Sequence, residues 1–350
     1  MKVGFLVNPY AGSGGRIGRK GSDDLRVENP EMPFRVKRFL NLAPKVKYFV
    51  PRGKMGEVYF RGTDFDYEVI DAGRDNSTRE DTIASVKILQ DVVDVITFVG
   101  GDGTARDVAG ALTRDLPILG IPAGVKMHSG VFATTPEAAA RILSDFVQGN
   151  ARVVKAEVLD VDEEEYRRGN FVVKLFFVVS TISSGNLLTP SKEEYSSSNA
   201  DDISEFVIDM MEDNVYYVMG PGKTVKSVEE RLGYSTNFLS TDLFLGKRLI
   251  KAGISYFDLI SLTGELKVIL SPIGGQGFLI GRGNQEIGPE VLKRVGKKGI
   301  IVVSSREKLR SIDCLRIDTG DPEVDKLLQG VYNVIVGYNE FMPVKTCSNT

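Results

Sequence analysis

A chain of 350 residues carrying 44 Lys+Arg against 47 Asp+Glu, with 42% hydrophobic and 26% charged residues, has the make-up of a globular protein of about two domains. That composition argues against disorder, and a net charge of −3 gives no reason to expect nucleic acid as the main partner. The two cysteines, Cys314 and Cys347, are too few for a disulfide framework or a zinc cluster and fit a reducing compartment, while the one histidine, His128, excludes any centre that needs two.

The apolar run at residues 4–7 is too short for a signal peptide, and no stretch approaches the ~20 apolar residues of a membrane helix. The expectation is a soluble, cytoplasmic protein with no membrane partner. Residues 3–7 read as a buried parallel strand stopped by Asn8 and Pro9. Residues 16–56 are basic and weakly patterned, and no element is assigned to them. Phe65, Tyr67 and Val69 alternate as in a strand. Ser77 and Glu80 then have the spacing of a capping box for a helix with Ile83, Val86 and Leu89 on one face. Residues 95–99 form another buried strand. Ala105, Val108, Ala109 and Leu112 give the next helix its apolar stripe. A third such strand covers 116–121, and Thr135-Pro136 caps a helix that stops at Gly149.

From Arg152 the texture changes. RVVKAEVLDVD, a turn at residues 167–170 and FVVKLFFVVS predict an antiparallel hairpin. A polar loop over 191–202 precedes a helix marked by Ile203, Phe206, Val207 and Met210. A strand at 216–219 leads into GPGKT and a helix ending near Gly233. Strands at 267–270, 300–303 and 334–336, with a helix after Asp321-Pro322, complete the chain. Strands separated by helices imply right-handed parallel crossovers. The fold class is therefore α/β: residues 1–150 a parallel-sheet nucleotide-type domain, and residues 151–350 a β-richer mixed α/β domain. The C-terminal tail is a candidate to pack back on the first domain.

The strongest chemical signal is GGDGT at residues 100–104, between a buried strand and a helix N-terminus. Glycines there let backbone N–H groups approach a phosphate, which the helix dipole also favours. Gly101, Gly103 and Thr104 are the candidate phosphate contacts. A carboxylate beside phosphate is repulsive unless it has a task, so Asp102 is the candidate catalytic residue. It could accept the proton of an attacking hydroxyl or help hold Mg²⁺; the plainer alternative is a helix cap. Asn8, Gly12 and Gly14 follow the first strand and would present a second glycine loop to the same crevice.

GPGKT at residues 220–224 is not a Walker A loop, because the glycine required five residues before Gly222 is Tyr217. Gly222, Lys223 and Thr224 remain candidates for a second anion site. Lys126, just beyond the third strand, could meet phosphate charge. His128 nearby reads more readily as a packed or hydrogen-bonding residue than as a catalyst. GGQGFLIGRGNQ at 274–285 offers Gln276, Arg282, Asn284 and Gln285 for ligand hydrogen bonds, or is simply a glycine-rich turn array.

NPYAGSGG, GGDGTARDV, GIPAGVKMHSGVFA, GPGKT with STDL after it, GGQGFLIGRGNQ and DTGDPEVDKLL, in this order over most of the chain, resemble the NAD kinase and diacylglycerol kinase superfamily. The series is most similar to the branch of predicted ATP-NAD (polyphosphate/ATP-NAD) kinases. The resemblance implies a kinase that uses ATP or polyphosphate with Mg²⁺ to phosphorylate the 2′-hydroxyl of NAD, with Asp102 as catalytic carboxylate and the neighbouring glycines on nucleotide phosphates. It also implies a homo-oligomer. Where characterised NAD kinases carry an Asn-Glu pair, this chain reads KAEVLDVD. Two alternatives therefore stay open: a kinase for a lipid or polyol hydroxyl, and a nucleotide-binding regulator without catalysis. On these grounds Asp102→Asn is expected to fold normally and lose turnover.

Overall fold

The computed structural model describes residues 1–13, 27–123, 127–161, 173–185, 187–188, 200–273 and 277–347. The expected positions Gly14, Lys126 and Gln276, the turn at 167–170 and most of the 191–202 loop lie outside them. Residues 200–202 already belong to a helix. The described residues fall into two compact units, one up to residue 188 and the other from residue 200.

The first unit contains β1 (Lys2–Val7), α1 (Met32–Leu40), β2 (Lys47–Val50), β3 (Tyr67–Val69), α2 (Arg79–Leu89), β4 (Val95–Gly100), α3 (Asp102–Ala111), β5 (Ile118–Pro122), α4 (Pro136–Val147), β6 (Arg152–Val161) and β7 (Val173–Ser183). Its sheet runs β3-β2-β1-β4-β5-β7-β6, parallel throughout except for β6 against β7. Strands covered on both faces must be apolar on both faces, which is why VITFVG in β4 is buried at every position. Val3, Phe5 and Val7 pack on one face with Val36 and Phe39 of α1 and Ile142 and Leu143 of α4. Leu6, Ile96 and Phe98 face the other way, onto Val86 and Leu89 of α2 and Ala105 and Val108 of α3. Period-two alternation along the strands thus sorts the chain into three layers.

Three details differ from the sequence reading. The capping box of α2 is Thr78 with Asp81, one residue later than expected, because the Asp81 carboxylate reaches back to the Thr78 N–H at 2.7 Å. The weakly patterned 16–56 region contains α1 and β2. The hairpin β6–β7, expected to open the second domain, instead extends the first sheet, since Ile118 of β5 pairs with Thr181 of β7.

The second unit contains α5 (Ala200–Met210), β8 (Tyr216–Met219), α6 (Lys223–Arg231), β9 (Asp242–Leu245), β10 (Arg248–Lys251), α7 (Tyr256–Ser261), β11 (Leu266–Leu270), β12 (Phe278–Ile280), α8 (Pro289–Val295), β13 (Ile300–Val302), α9 (Arg306–Arg310), β14 (Arg316–Ile317), α10 (Pro322–Leu327), β15 (Val331–Gly337) and β16 (Glu340–Lys345). Its main sheet, β10-β9-β8-β11-β13, is parallel at β8-β11-β13 and antiparallel at β9 and β10. β12 pairs with β14, and β15 with β16. The tail closes on its own unit: the Leu315 N–H bonds Lys345 O at 2.9 Å and the Cys347 N–H bonds Leu315 O at 2.8 Å. That register brings Cys314 and Cys347 together, with Cα atoms 5.1 Å apart, and they form a disulfide. The two cysteines are thus not the free thiols that a reducing compartment would keep. Among the described residues no helix is long and apolar enough to cross a membrane.

Candidate active site

Parallel pairing of β1, β4 and β5 brings three strand ends, and the loops after them, side by side. The Asn8 N–H bonds Val99 O and the Ala123 N–H bonds Gly100 O, both at 3.0 Å, so the ladder continues past the strand ends. The first loop is held by its own polar groups. Asn8 Oδ1 accepts the Tyr10 N–H at 3.1 Å, and the buried Asn29 donates from Nδ2 to Ala11 O at 2.8 Å. Gly12 sits at φ +75°, and a Cβ there would lie 2.3 Å from Ala123 O. Only glycine lets the first loop lie on the third.

Asn8 also reaches across to GGDGT, its Nδ2 donating to Thr104 Oγ1 at 2.9 Å. Gly100 permits this: a Cβ on it would stand 2.5 Å from that of Thr104. Gly103 differs, since the nearest atom to a Cβ there is Asp160 Oδ2 at 3.8 Å. Among the described residues its missing side chain serves no packing purpose and leaves space above the first turn of α3. The first intrahelical bond of α3 runs from the Ala105 N–H to Gly101 O, so the preceding N–H groups have no acceptor within the helix. Asp160 is paired with Arg106 at 3.0 Å, which offsets a second carboxylate beside this turn.

Asp102 is buried, and its carboxylate accepts four hydrogen bonds. Oδ2 takes the His128 N–H at 2.7 Å and faces His128 Nδ1 at 3.0 Å; Oδ1 takes the Ser129 N–H at 3.0 Å and the Ser129 hydroxyl at 2.6 Å. A carboxylate has about four lone-pair positions, so this one is saturated. The plain helix-cap alternative is not what is found, because Asp102 is the first residue of α3 and Gly101 is its N-cap. Saturation also leaves no lone pair for Mg²⁺. Among the described residues no cluster of three or more metal-ligating side chains occurs. Asp102 instead clamps the segment after β5 onto α3, and Ser129 passes the connection on by accepting the Leu159 N–H at 3.0 Å.

In the second unit, GPGKT lies at the β8–α6 junction, with Gly222 as N-cap at φ +114° and Lys223 and Thr224 in the first turn. β8 and β11 are parallel neighbours, so GPGKT and the loop from Ser271 leave the same sheet edge. Asn284 is 1% exposed and spends both ends of its amide on its own turn, accepting the Gly281 N–H at 3.0 Å and donating to Leu279 O at 2.8 Å. It shapes the loop.

Two features had no sequence signal beyond STDL. Buried Lys226 of α6 bonds Glu229 at 2.9 Å and Asp242 of β9, and Asp242 Oδ1 accepts the Gly253 N–H at 2.7 Å. Burial pushes the Glu229 carboxyl up to about 7 against the pull of Lys226. Burial works against charge on Asp242 too, but Lys226 beside it holds that carboxyl below its ordinary value. Lys308, whose Nζ lies 3.4 Å from Ser271 Oγ, is pushed down by burial to about 8.

The N-terminal domain of the ATP-NAD kinases matches residues 3–151 and their C-terminal domain matches residues 212–346. The chain belongs to the ATP-NAD kinase family. An uncharacterized protein of Archaeoglobus fulgidus is 35% identical over 124 residues, which cover 35% of this chain and about a third (34%) of that relative. An Archaeoglobus fulgidus NAD kinase solved in complex with ATP is 12% identical, covering 73% of this chain and 78% of its own, with a TM-score of 0.21. A Bacillus anthracis str. Sterne diacylglycerol kinase is 16% identical over 45% of this chain and 47% of its own, with a TM-score of 0.27. GGDGT lies within the stretch that matches the N-terminal domain, and GPGKT within the stretch that matches the C-terminal one.

Proposed function

We propose that the protein transfers the terminal phosphoryl group of ATP, or of polyphosphate, to the 2′-hydroxyl of the adenosine ribose of NAD, giving NADP. One observation carries the reading: the Asn8 loop, GGDGT and the segment after β5 are locked together around the N-terminus of α3, with open space at Gly103. Phosphoryl transfer depends chiefly on positioning and charge stabilisation, and a rigid, glycine-lined helix N-terminus supplies both. Gly101, Gly103 and Thr104 would hold donor phosphates, with Asn8, Gly12 and Gly14 shaping the wall beside them. Asp102 would fix the segment on which the acceptor hydroxyl is placed. Lys126 would neutralise developing charge. Gly222, Lys223, Thr224 and Gln276 would form the second unit's nucleotide contacts, with Asn284 holding the turn after β12. Mg²⁺ would enter with the nucleotide and would supply neutralisation of the phosphate charge. The 2′-hydroxyl as acceptor is supported by family membership across both halves.

The test is to incubate purified protein with ATP, Mg²⁺ and NAD and to read NADP with a dehydrogenase specific for it. ADP release driven by a lipid or polyol, with no NADP, would move the assignment to another hydroxyl acceptor.

A further inference from the structure

Lys226 and Lys308 both carry an ammonium group into the second unit, on different terms. Lys226 is neutralised within the fold, by Glu229 at 2.9 Å and by Asp242. Lys308 is in no ion pair among the described residues, and burial alone acts on it, with no carboxylate to hold its charge. A covered charge without a partner is costly, so such a group ordinarily has one.

Strand order brings Lys308 to its place. The Val303 N–H bonds Leu270 O at 2.8 Å, so the β11–β13 ladder reaches the last residue of β11 and Ser271 is the first beyond it. Ser305 caps α9 by accepting the Lys308 N–H at 3.3 Å, and the Lys308 side chain returns to donate to Ser271 Oγ at 3.4 Å. On the other side of β11 the Gly220 N–H bonds Ile269 O at 2.9 Å, and a Cβ on Gly220 would stand 2.6 Å from Leu270 Cδ2. GPGKT therefore leaves the sheet beside Ser271, at the carboxyl ends of parallel strands, where open α/β sheets take their ligands.

The groups gathered at this edge are donors. An ammonium has three N–H bonds, and Ser271 takes one of them. Ser271 is 3% exposed; its hydroxyl accepts from Lys308 and, among the described residues, donates to nothing. In the first turn of α6 the N–H groups of Lys223 and Thr224 have no acceptor within the helix, whose first bonds run from Val225 and Lys226 to Gly222 O. Donors and a positive charge with no opposing carboxylate suit an anion.

We propose that Lys308 and Ser271 bind a phosphate group at the carboxyl edge of the second sheet, Lys308 by its charge and Ser271 by its hydroxyl. The inference deepens the kinase reading above, which supplies the ligand class. ATP, NAD and polyphosphate present the same phosphate oxygens, and any of them gives Lys308 the partner that the fold does not.

The experiment titrates inorganic pyrophosphate, ATP and NAD in turn into wild type and Lys308→Met by calorimetry. Methionine keeps the apolar stem and removes the unpaired charge, so the variant should melt no lower than wild type. It should bind pyrophosphate about 10–100-fold more weakly, the size of a lost hydrogen bond between charged groups. The nucleotide whose affinity falls alongside is the source of the phosphate. A Lys308→Met protein that binds all three within about twofold of wild type overturns the proposal. A second measurement needs no variant: wild type is labelled with acetic anhydride and its peptides are weighed. Pyrophosphate should slow acetylation of Lys308 more than about fivefold, and that of exposed Lys87 by less than about twofold. An unchanged rate at Lys308 overturns the proposal whatever the variant does. NADP formation by the wild type is read separately; its absence would overturn the kinase reading, while the pyrophosphate titration still decides the site.

Discussion

Replacing Asp102 by asparagine removes one acceptor oxygen and puts an NH₂ group in its place. With the amide in either orientation, that NH₂ faces an obligatory donor: the His128 N–H on one side or the Ser129 N–H on the other. His128 Nδ1 can adapt by changing tautomer and the Ser129 hydroxyl by rotating, but a main-chain N–H cannot. One buried N–H is therefore orphaned, at a cost of about 1–3 kcal/mol. For a unit of this size each kcal/mol moves the melting temperature by about 2–4 °C, so Asp102→Asn should melt roughly 2–12 °C below wild type. Normal folding, expected from sequence, thus gives way to measurable destabilisation. Differential scanning calorimetry reads it, with Asp107→Asn as a control on the same helix that leaves the Asp102 clamp intact. An Asp102→Asn protein melting within 1 °C of wild type would refute the clamp.

Gly103→Ala should leave stability unchanged or raise it by up to about 1 kcal/mol, since among the described residues a Cβ there meets nothing closer than 3.8 Å and alanine favours helix. It should nevertheless weaken ATP binding more than tenfold by calorimetric titration; undiminished binding would remove Gly103 from the phosphate site. Cys314→Ser opens a link spanning 33 residues, which in the chain-entropy account costs about 3–4 kcal/mol. Urea unfolding with and without reductant checks this, and equal stability in both would contradict it. Glu229, with its folded value near 7 against 4.5 when unfolded, keeps its proton in the folded state while the unfolded chain has lost it. Stability should therefore fall as pH rises from about 4.5 to 7, by up to about 3 kcal/mol. Glu229→Gln should flatten that slope, and an unchanged slope would assign it to other groups.

Most of the alternation of strands and helices was legible because it is written in local patterns. β1, β4 and β5 are short apolar runs ended by Asn-Pro or glycine, and Thr135-Pro136 announces α4 as it accepts the Ala138 N–H at 3.0 Å. The region around α1 and β2 hid its elements because many of its charged side chains find partners elsewhere, as Arg38 does on Glu137, so they do not mark a clean polar face. β6 and β7 were legible as a hairpin, but not their sheet, because the ladder that joins them to β5 pairs Ile118 with Thr181, far apart in the chain.

In the site, GGDGT was legible as a strand–loop–helix junction. The partners of Asp102 were not, since His128 and Ser129 are 26 and 27 residues away in the chain and meet it only after β5 is laid beside β4. The disulfide escaped for the same reason. Its cysteines are aligned by the return of the tail onto Leu315, a long-range register that no local signal carries.

The most direct test of the central claim is a single turnover assay with purified protein, ATP, Mg²⁺ and NAD, following NADP and ADP together. The account predicts NADP and ADP in equal amounts, each dependent on both nucleotides. Tight nucleotide binding with neither product would contradict it and leave a binding protein in place of a kinase.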